Sequence, residues 1–201
     1  MQLGMFGAGE PTFAGGDARV RRRDLAGGAW VDWAPRWLDG HATLFEHLRH
    51  HTRWRQVRRE MYDRMVDVPR LVASLPEDGD GHPLLARAAA ALSARYGARL
   101  DRTSLALYRD GRDSVAFHGD RLGAMRSNAL VAILSLGGPR RFLLRPVGGG
   151  PSVVHQLGWG DLLVMGGTCQ ETWEHAVPKA RVADPRISVM FRHASPLEGG
   201  S

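Results

Sequence analysis

From Ser104 onward the chain breaks into short strand-like segments separated by glycine-rich turns, and few architectures accommodate that texture. Residues 104–109 alternate, and Asp110-Gly111 is the signal for a two-residue hairpin turn. Residues 114–118 form the next extended piece. Residues 129–136 are an almost unbroken apolar run, the pattern of a strand covered on both faces. Gly137-Gly138-Pro139 turns and 141–145 returns; Gly148-Gly149-Gly150-Pro151 turns again and 152–157 alternates. Trp159-Gly160-Asp161 precedes a strand over 162–165, and the last strand spans 186–192. Many short strands at regular spacing predict a sandwich or barrel. No GxGxxG and no P-loop is present, which argues against a nucleotide-cofactor fold.

The first hundred residues read differently. Residues 1–29 are rich in Gly and Ala and read as a loose arm carrying the charge run Arg19-Val20-Arg21-Arg22-Arg23. Trp30, Trp33, Trp37 and Trp54 follow and suit a core. Leu44, Phe45 and Leu48 make one stripe of a helix, with Thr43 and Glu46 spaced as a capping box. His41, His47, His50 and His51 surround it without a carboxylate pattern to organise them as ligands. Residues 56–62 read as extended. Pro69 lacks an amide donor, so Val68-Pro69-Arg70 reads as a loop or edge. Residues 75–83 form an acidic turn-rich loop, and 84–96 a helix closed by Gly97.

Composition narrows the function classes. Of 201 residues, 43% are hydrophobic and 24% charged, enough for one domain with a real core. The formal net charge of +6 leaves two readings open: a polyanionic partner, nucleic acid first, or an Arg-rich solvated surface. The one cysteine, Cys169, excludes an intrachain disulfide and a thiolate zinc site. It reads as a small apolar residue in a turn rather than as a nucleophile. No apolar run is long enough to span a membrane and no secretory signal opens the sequence, so the expected location is the cytoplasm.

Two patterns carry chemistry. His118 and Asp120 are two apart, so on an extended chain they share one side. With His175 they make two imidazoles and a carboxylate, the facial arrangement that leaves positions open on non-haem Fe(II). His-x-Asp with a distant His is weak by itself. Arg186 and Arg192 differ by six on a strand, so they also share a side, with Ser188 and Met190 between them. Their Cα atoms would lie about 20 Å apart. Either they bind a small dicarboxylate that chelates the metal, or they flank an exposed edge strand.

The segment from Trp30 to Arg192 resembles the AlkB family of Fe(II)- and 2-oxoglutarate-dependent nucleic-acid dealkylating dioxygenases. The residues that carry the likeness are Leu107-Tyr108-Arg109-Asp110, Asp113 through Asp120, Leu134-Ser135-Leu136-Gly137, Asp161 through Gly167, Trp173 through Lys179 and Arg186-x5-Arg192. The resemblance implies an α+β, mainly β fold: a double-stranded β-helix (jelly-roll) core with N-terminal helices packed on it. It implies one dioxygenase domain over 30–195, with a lid at about 56–82 and a tail at 196–201. His118, Asp120 and His175 would hold Fe(II). Tyr108, Arg186, Ser188 and Arg192 would hold 2-oxoglutarate, with Arg186 and Tyr108 on its distal carboxylate and Arg192 nearer the chelating end.

The implied reaction is oxidative dealkylation of N-alkylated bases in DNA, yielding succinate, CO2 and an aldehyde. RNA, protein or a small molecule is the alternative substrate, and a non-catalytic nucleic-acid-binding module is a further rival. Arg64, Arg70 and Arg109 are candidate nucleic-acid contacts. The expected partners are alkylated DNA and O2, with no membrane, and the expected state is a monomer. The chain departs from the family pattern at Ala106 and Ser188, where many relatives carry Asn. It departs again after Val68-Pro69-Arg70, where an aromatic-rich lid segment is missing, and at Arg121-Leu122, where an acid is common.

Overall fold

The computed structural model describes residues 9–13, 19–61, 64–120 and 129–193, with side chains described outside 59–67. Among the described residues, fourteen strands and three α-helices follow one another. The first part contains β1 (Thr12–Phe13), β2 (Arg21–Asp24), a 3-10 turn (Ala26–Gly28), β3 (Ala29–Ala34), β4 (Leu38–Asp39) and α1 (His41–His51). Next come β5 (Arg55–Met61), β6 (Arg64–Leu75), α2 (Pro83–Tyr96), β7 (Arg102–Tyr108) and β8 (Val115–His118). The rest is β9 (Val131–Gly137), β10 (Arg140–Pro146), β11 (Val153–Leu157), β12 (Asp161–Gly167), α3 (Cys169–Thr172), β13 (Trp173–Val177) and β14 (Arg186–Arg192).

Two antiparallel sheets form the jelly roll. The larger has eight strands in the order β2-β3-β12-β9-β14-β7-β6-β5, the smaller four in the order β11-β10-β13-β8. The period of two along β14 sorts its side chains. Ile187, Val189 and Phe191 face a core shared with Leu44 and Leu48 of α1 and Leu84, Ala88 and Leu92 of α2. Met190 packs on the second core, between the sheets, with Phe142, Leu144 and Val177 of the smaller one. The same division along β9 explains its unbroken apolar run: Leu134 and Leu136 meet the helices, while Val131 and Ile133 meet the opposite sheet.

Several local expectations are corrected. Residues 21–24, assigned to the loose arm, form β2 and pair with β3. Arg22 chelates the carboxylate of Asp32 at 2.8 and 2.9 Å and lies 3.8 Å from the centre of the Trp30 ring, contacts that tie the strand down. Val68-Pro69-Arg70 lies inside β6, not in a loop. Pro69 is tolerated because the β5–β6 register slips between Gln56 and Arg58, so no ladder amide is demanded of it. Its carbonyl instead accepts from Ser114 N at 2.7 Å.

The Thr43/Glu46 capping box does not form. Helix α1 starts after Gly40 in the left-handed conformation with no side-chain cap, Thr43 accepts from Gly9 N, and Glu46 pairs with His50 at 3.3 Å. Asp110-Gly111 is not a hairpin turn, because β7 and β8 belong to different sheets. Gly111 has no positive φ; it is needed because a Cβ there would collide with the Ala180 carbonyl. In the same way, residues 141–145 do not return beside β9 but cross to pair with β11 and β13. The stretch around Cys169, read as a turn, is the short helix α3. The expectations for residues 1–8, 14–18 and 194–201 lie outside the described residues.

Candidate active site

The cross-strand register of the smaller sheet builds the first half of the site. His175 on β13 stands directly opposite His118 on β8, and their ring centroids are 4.3 Å apart. Asp120 follows two residues past His118. One donor atom from each of His118, Asp120 and His175 falls within 4.8 Å of the others, and among the described residues no other His, Cys, Asp or Glu group is so arranged. The four histidines around α1 are therefore not a metal cluster. His47 stacks on His51 and meets His82 edge-on.

The chemistry of these donors suits a divalent metal. His118 Nδ1 lies 2.9 Å from the Ala116 carbonyl, which can only accept, so Nδ1 donates there and Nε2 is the nitrogen left to face a metal. His175 is buried and stacked on Phe142 at 5.3 Å. Burial, partly opposed by the Asp120 charge, lowers its pKa to about 4, so the imidazole is neutral at physiological pH. Asp120 Oδ1 receives Arg192 Nη2 at 2.6 Å, and Gln170 Oε1 accepts from its backbone N. Oδ2 is buried without a partner. A buried carboxylate oxygen without a hydrogen-bond partner is costly unless a cation completes it.

The larger sheet supplies the second half. Arg186 on β14 pairs in register with Tyr108 on β7, and its guanidinium carbon is 5.4 Å from the centre of that ring. Arg186 is only 1% exposed; its Nη2 donates to Ser135 Oγ at 2.6 Å, while Nε and Nη1 have no partner. Burial, partly opposed by Tyr108 and Asp161, pushes its pKa down to about 10, so at neutral pH it still carries a buried positive charge. A cavity of about 170 Å3 connects the halves, lined by His118 and His175 at one end and Tyr108, Arg186 and Ser188 at the other. Two unsatisfied guanidinium donors there call for an anion.

Three residues of the site were missed by sequence reasoning as functional. Ser135 is the lone hydroxyl in an apolar run, a visible signal. Gln170 lay in a segment read as a turn. Arg140 is 3% exposed and donates to the carbonyls of Asp110, Asp113 and Pro178 at 2.8–2.9 Å, tying the approach to β8 to the exit from β13. Of the candidate nucleic-acid contacts, Arg70 lines the cavity and reaches the Ser114 carbonyl at 3.4 Å. Arg109 is not among the lining residues; it forks onto Asp113 at 2.8 and 2.9 Å within the β7–β8 turn. The side chain of Arg64, and Arg121 and Leu122, lie outside the described residues. Cys169 is buried and its thiol is pushed up to about 12, which excludes it as a ready nucleophile.

Residues 41–192 match a family model described as the 2OG-Fe(II) oxygenase superfamily. This chain belongs to that superfamily. The superfamily is defined by its use of Fe(II) and 2-oxoglutarate, and the similar proteins include several named as alkB homologues. The chain is 28% identical over 181 residues to the bovine protein named alpha-ketoglutarate-dependent dioxygenase alkB homolog 3, covering 79% of this chain and 63% of the relative. The human protein of that name is 31% identical over 130 residues, covering 60% of this chain and 46% of the relative. The chain thus spans less than two thirds of the length of these relatives. The solved structure titled OsALKBH1 superposes with a TM-score of 0.59 at 15% identity, covering 87% of this chain and all of that one. A 2OG-Fe(II) family oxidoreductase from Burkholderia pseudomallei gives 0.57 at 18%, covering 83% of this chain and 85% of that one. These two likenesses bear on the fold. No helix among the described residues is long and apolar enough to cross a membrane.

Proposed function

We propose that this oxygenase removes alkyl groups oxidatively from the nitrogens of nucleic-acid bases, with alkylated DNA as its substrate. The observation that carries the reading is one cavity lined both by His118 and His175, which group with Asp120, and by Arg186, two of whose donors have no partner. The names of the relatives and the net charge of +6 support a polyanionic substrate.

In this reading His118 Nε2, Asp120 and His175 hold Fe(II). Iron, 2-oxoglutarate and O2 together supply an oxidant that inserts oxygen into a C–H bond while the cosubstrate leaves as succinate and CO2. Arg186 takes the distal carboxylate of 2-oxoglutarate, held in its rotamer by Ser135 and by the Tyr108 ring. Ser188 lines the path between. Arg192 keeps Asp120 oriented and balances its charge. Phe142, Val177 and Met190 keep water from the path. Once the alkyl carbon is hydroxylated, the N–C bond breaks and an aldehyde departs, restoring the base. Arg70 at the cavity steadies the incoming strand, and the β5–β6 hairpin acts as the lid. A base in duplex must be flipped out first, which costs least for damaged pairs.

The test is aldehyde release from 1-methyladenine and 3-methylcytosine oligonucleotides with Fe(II) and 2-oxoglutarate. Release from single- or double-stranded DNA above that from matched RNA supports the reading. Release from RNA alone moves the substrate to RNA, and release from neither removes nucleic acid as the substrate.

A further inference from the structure

A second concave surface lies outside the oxygenase cavity. It forms where β2, the end strand of the larger sheet, comes near β11, the end strand of the smaller one. Its volume is about 560 Å3, larger than the cavity at the metal ligands. Arg19, Arg21, Trp33, Arg36, Gln156 and Trp159 line it. It sits at the Arg186 end of β14, since Gly160 N bonds to Ser135 O; Asp120 of the His–Asp–His group is held by Arg192, six residues along that strand.

Three observations converge there. The first is charge. Arg19, Arg21 and Arg36 are all exposed, and the one carboxylate lining the cleft, Asp161, is buried and already accepts from the backbone N of Arg36 and of Gly158. Among the described residues no other carboxylate lines the cleft. The second is aromatic surface. Trp159 is 51% exposed, one of few large apolar side chains so placed, and the half-buried Trp33 lies beneath Arg21, 6.0 Å from ring to guanidinium. The third is backbone conformation. Among the described residues only Arg36 and Trp159 hold a positive φ without being glycine, at 48° and 47°, and both face this cleft. A bulky side chain kept in the left-handed region marks a position where its placement matters more than local comfort.

We infer that this cleft is a second nucleic-acid site, in which a base of a single strand stacks on Trp159 while Arg19, Arg21 and Arg36 hold the adjoining phosphates. An exposed aromatic among cations is the pattern by which single strands are bound without regard to sequence. The site goes beyond the dealkylation reading. It would hold flanking strand while the damaged base occupies the iron cavity, raising the local concentration of substrate rather than taking part in the chemistry.

The test is fluorescence anisotropy of labelled, unmodified oligothymidylate with the full chain across a salt series. Trp159→Ala is expected to weaken binding at least about fivefold, and Trp159→Phe to keep most of it. Arg36→Ala is expected to lower the slope of log K against log salt by about 0.7, one phosphate contact on a single strand. Trp159→Gly relieves the backbone, so a fold at least as stable with weakened binding separates lost stacking from lost structure. With methylated mononucleotide, too short to span both sites, the variants should turn over at the wild-type rate. Wild-type affinity and salt slope in Trp159→Ala and Arg36→Ala would overturn the inference, as would loss of binding confined to Arg70→Ala. The two readings fail separately: absence of aldehyde from any oligonucleotide counts against dealkylation alone, and binding indifferent to Trp159 and Arg36 counts against this site alone.

Discussion

Ala106 and Ser188 stand directly opposite each other across the β7–β14 pair, and both line the oxygenase cavity beside Arg186. Where the family pattern carries two Asn side chains, this chain has a methyl and a hydroxyl. Ser188→Asn is expected to lower KM for 2-oxoglutarate by up to about tenfold, the value of one hydrogen bond to a charged group. Succinate formation against 2-oxoglutarate concentration measures it. An unchanged KM in Ser188→Asn and in the double variant with Ala106→Asn would remove this pair from the cosubstrate path.

Arg186 makes a sharper prediction because its sign is unusual. The folded protein bears a buried guanidinium with two unpartnered donors, so without cosubstrate the charge is a burden. Arg186→Met should raise the stability of the metal-free, cosubstrate-free protein by about 1 kcal/mol or more. It should also abolish the rise in Tm that 2-oxoglutarate with Mn(II) gives the wild type, about 2.7 kcal/mol at a hundredfold excess over Kd. A variant that melts below the wild type would show that Arg186 is better satisfied than its contacts indicate.

His118→Ala and Asp120→Asn are expected to abolish 2-oxoglutarate turnover and to weaken metal binding while leaving the circular dichroism spectrum unchanged. Wild-type turnover persisting in a strong chelator without added Fe(II) would sink the metal assignment. Asp120→Asn also removes the anion facing Arg192 at 2.6 Å, so loss of activity there reports both effects, whereas His118→Ala reports the metal alone.

Acid should destabilise the metal-free protein earlier than its carboxylates explain. His41, His155 and His175 are each lowered below the usual imidazole range, first by burial. A lowered folded pKa means that the unfolded chain binds more protons, so stability rises with pH through this window and falls as pH drops below about 6.5. Melting at pH 5 should lie below melting at pH 7.5, and His155→Phe, which removes one such group beside Trp33, should narrow the gap. An unaltered gap would mean that His155 is free to protonate in the folded state.

Arg140 is expected to matter to both histidines without touching either. Arg140→Ala leaves one buried and two half-buried carbonyls without this donor and should cost about 2 kcal/mol or more, with Arg140→Lys intermediate. Urea unfolding at constant m reads the cost. If the loss is under 1 kcal/mol, water replaces the guanidinium and the tie is dispensable.

The site was more legible in the sequence than its surroundings. The alternation along residues 186–192 gave the direction of Arg186 and Arg192, because a period of two fixes facing without knowledge of the neighbours. Helix α2 was legible from its alanines and the closing Gly97. Pro69, Asp110-Gly111 and Thr43 misled because each local signal was overruled from a distance. A register slip made room for Pro69, Ala180 pressed on Gly111, and Gly9 took the Thr43 hydroxyl. Strand β2 was illegible because four polar residues show no apolar face; its partners, Asp32 and Trp30, lie on the next strand.

The candidate metal ligands come from the smaller sheet or its flank, and the guanidinium proposed for the cosubstrate comes from the larger one. No piece of the chain confined to one sheet therefore holds the whole proposed centre. Tyr108 and Arg186 must meet across nearly eighty residues of sequence, with His118 and His175 closing inside that span, contacts of the slow, non-local kind. A nascent or partly folded chain holds donors but no place to assemble them against a cosubstrate. In the proposed reading, oxygen chemistry would wait until both sheets have closed.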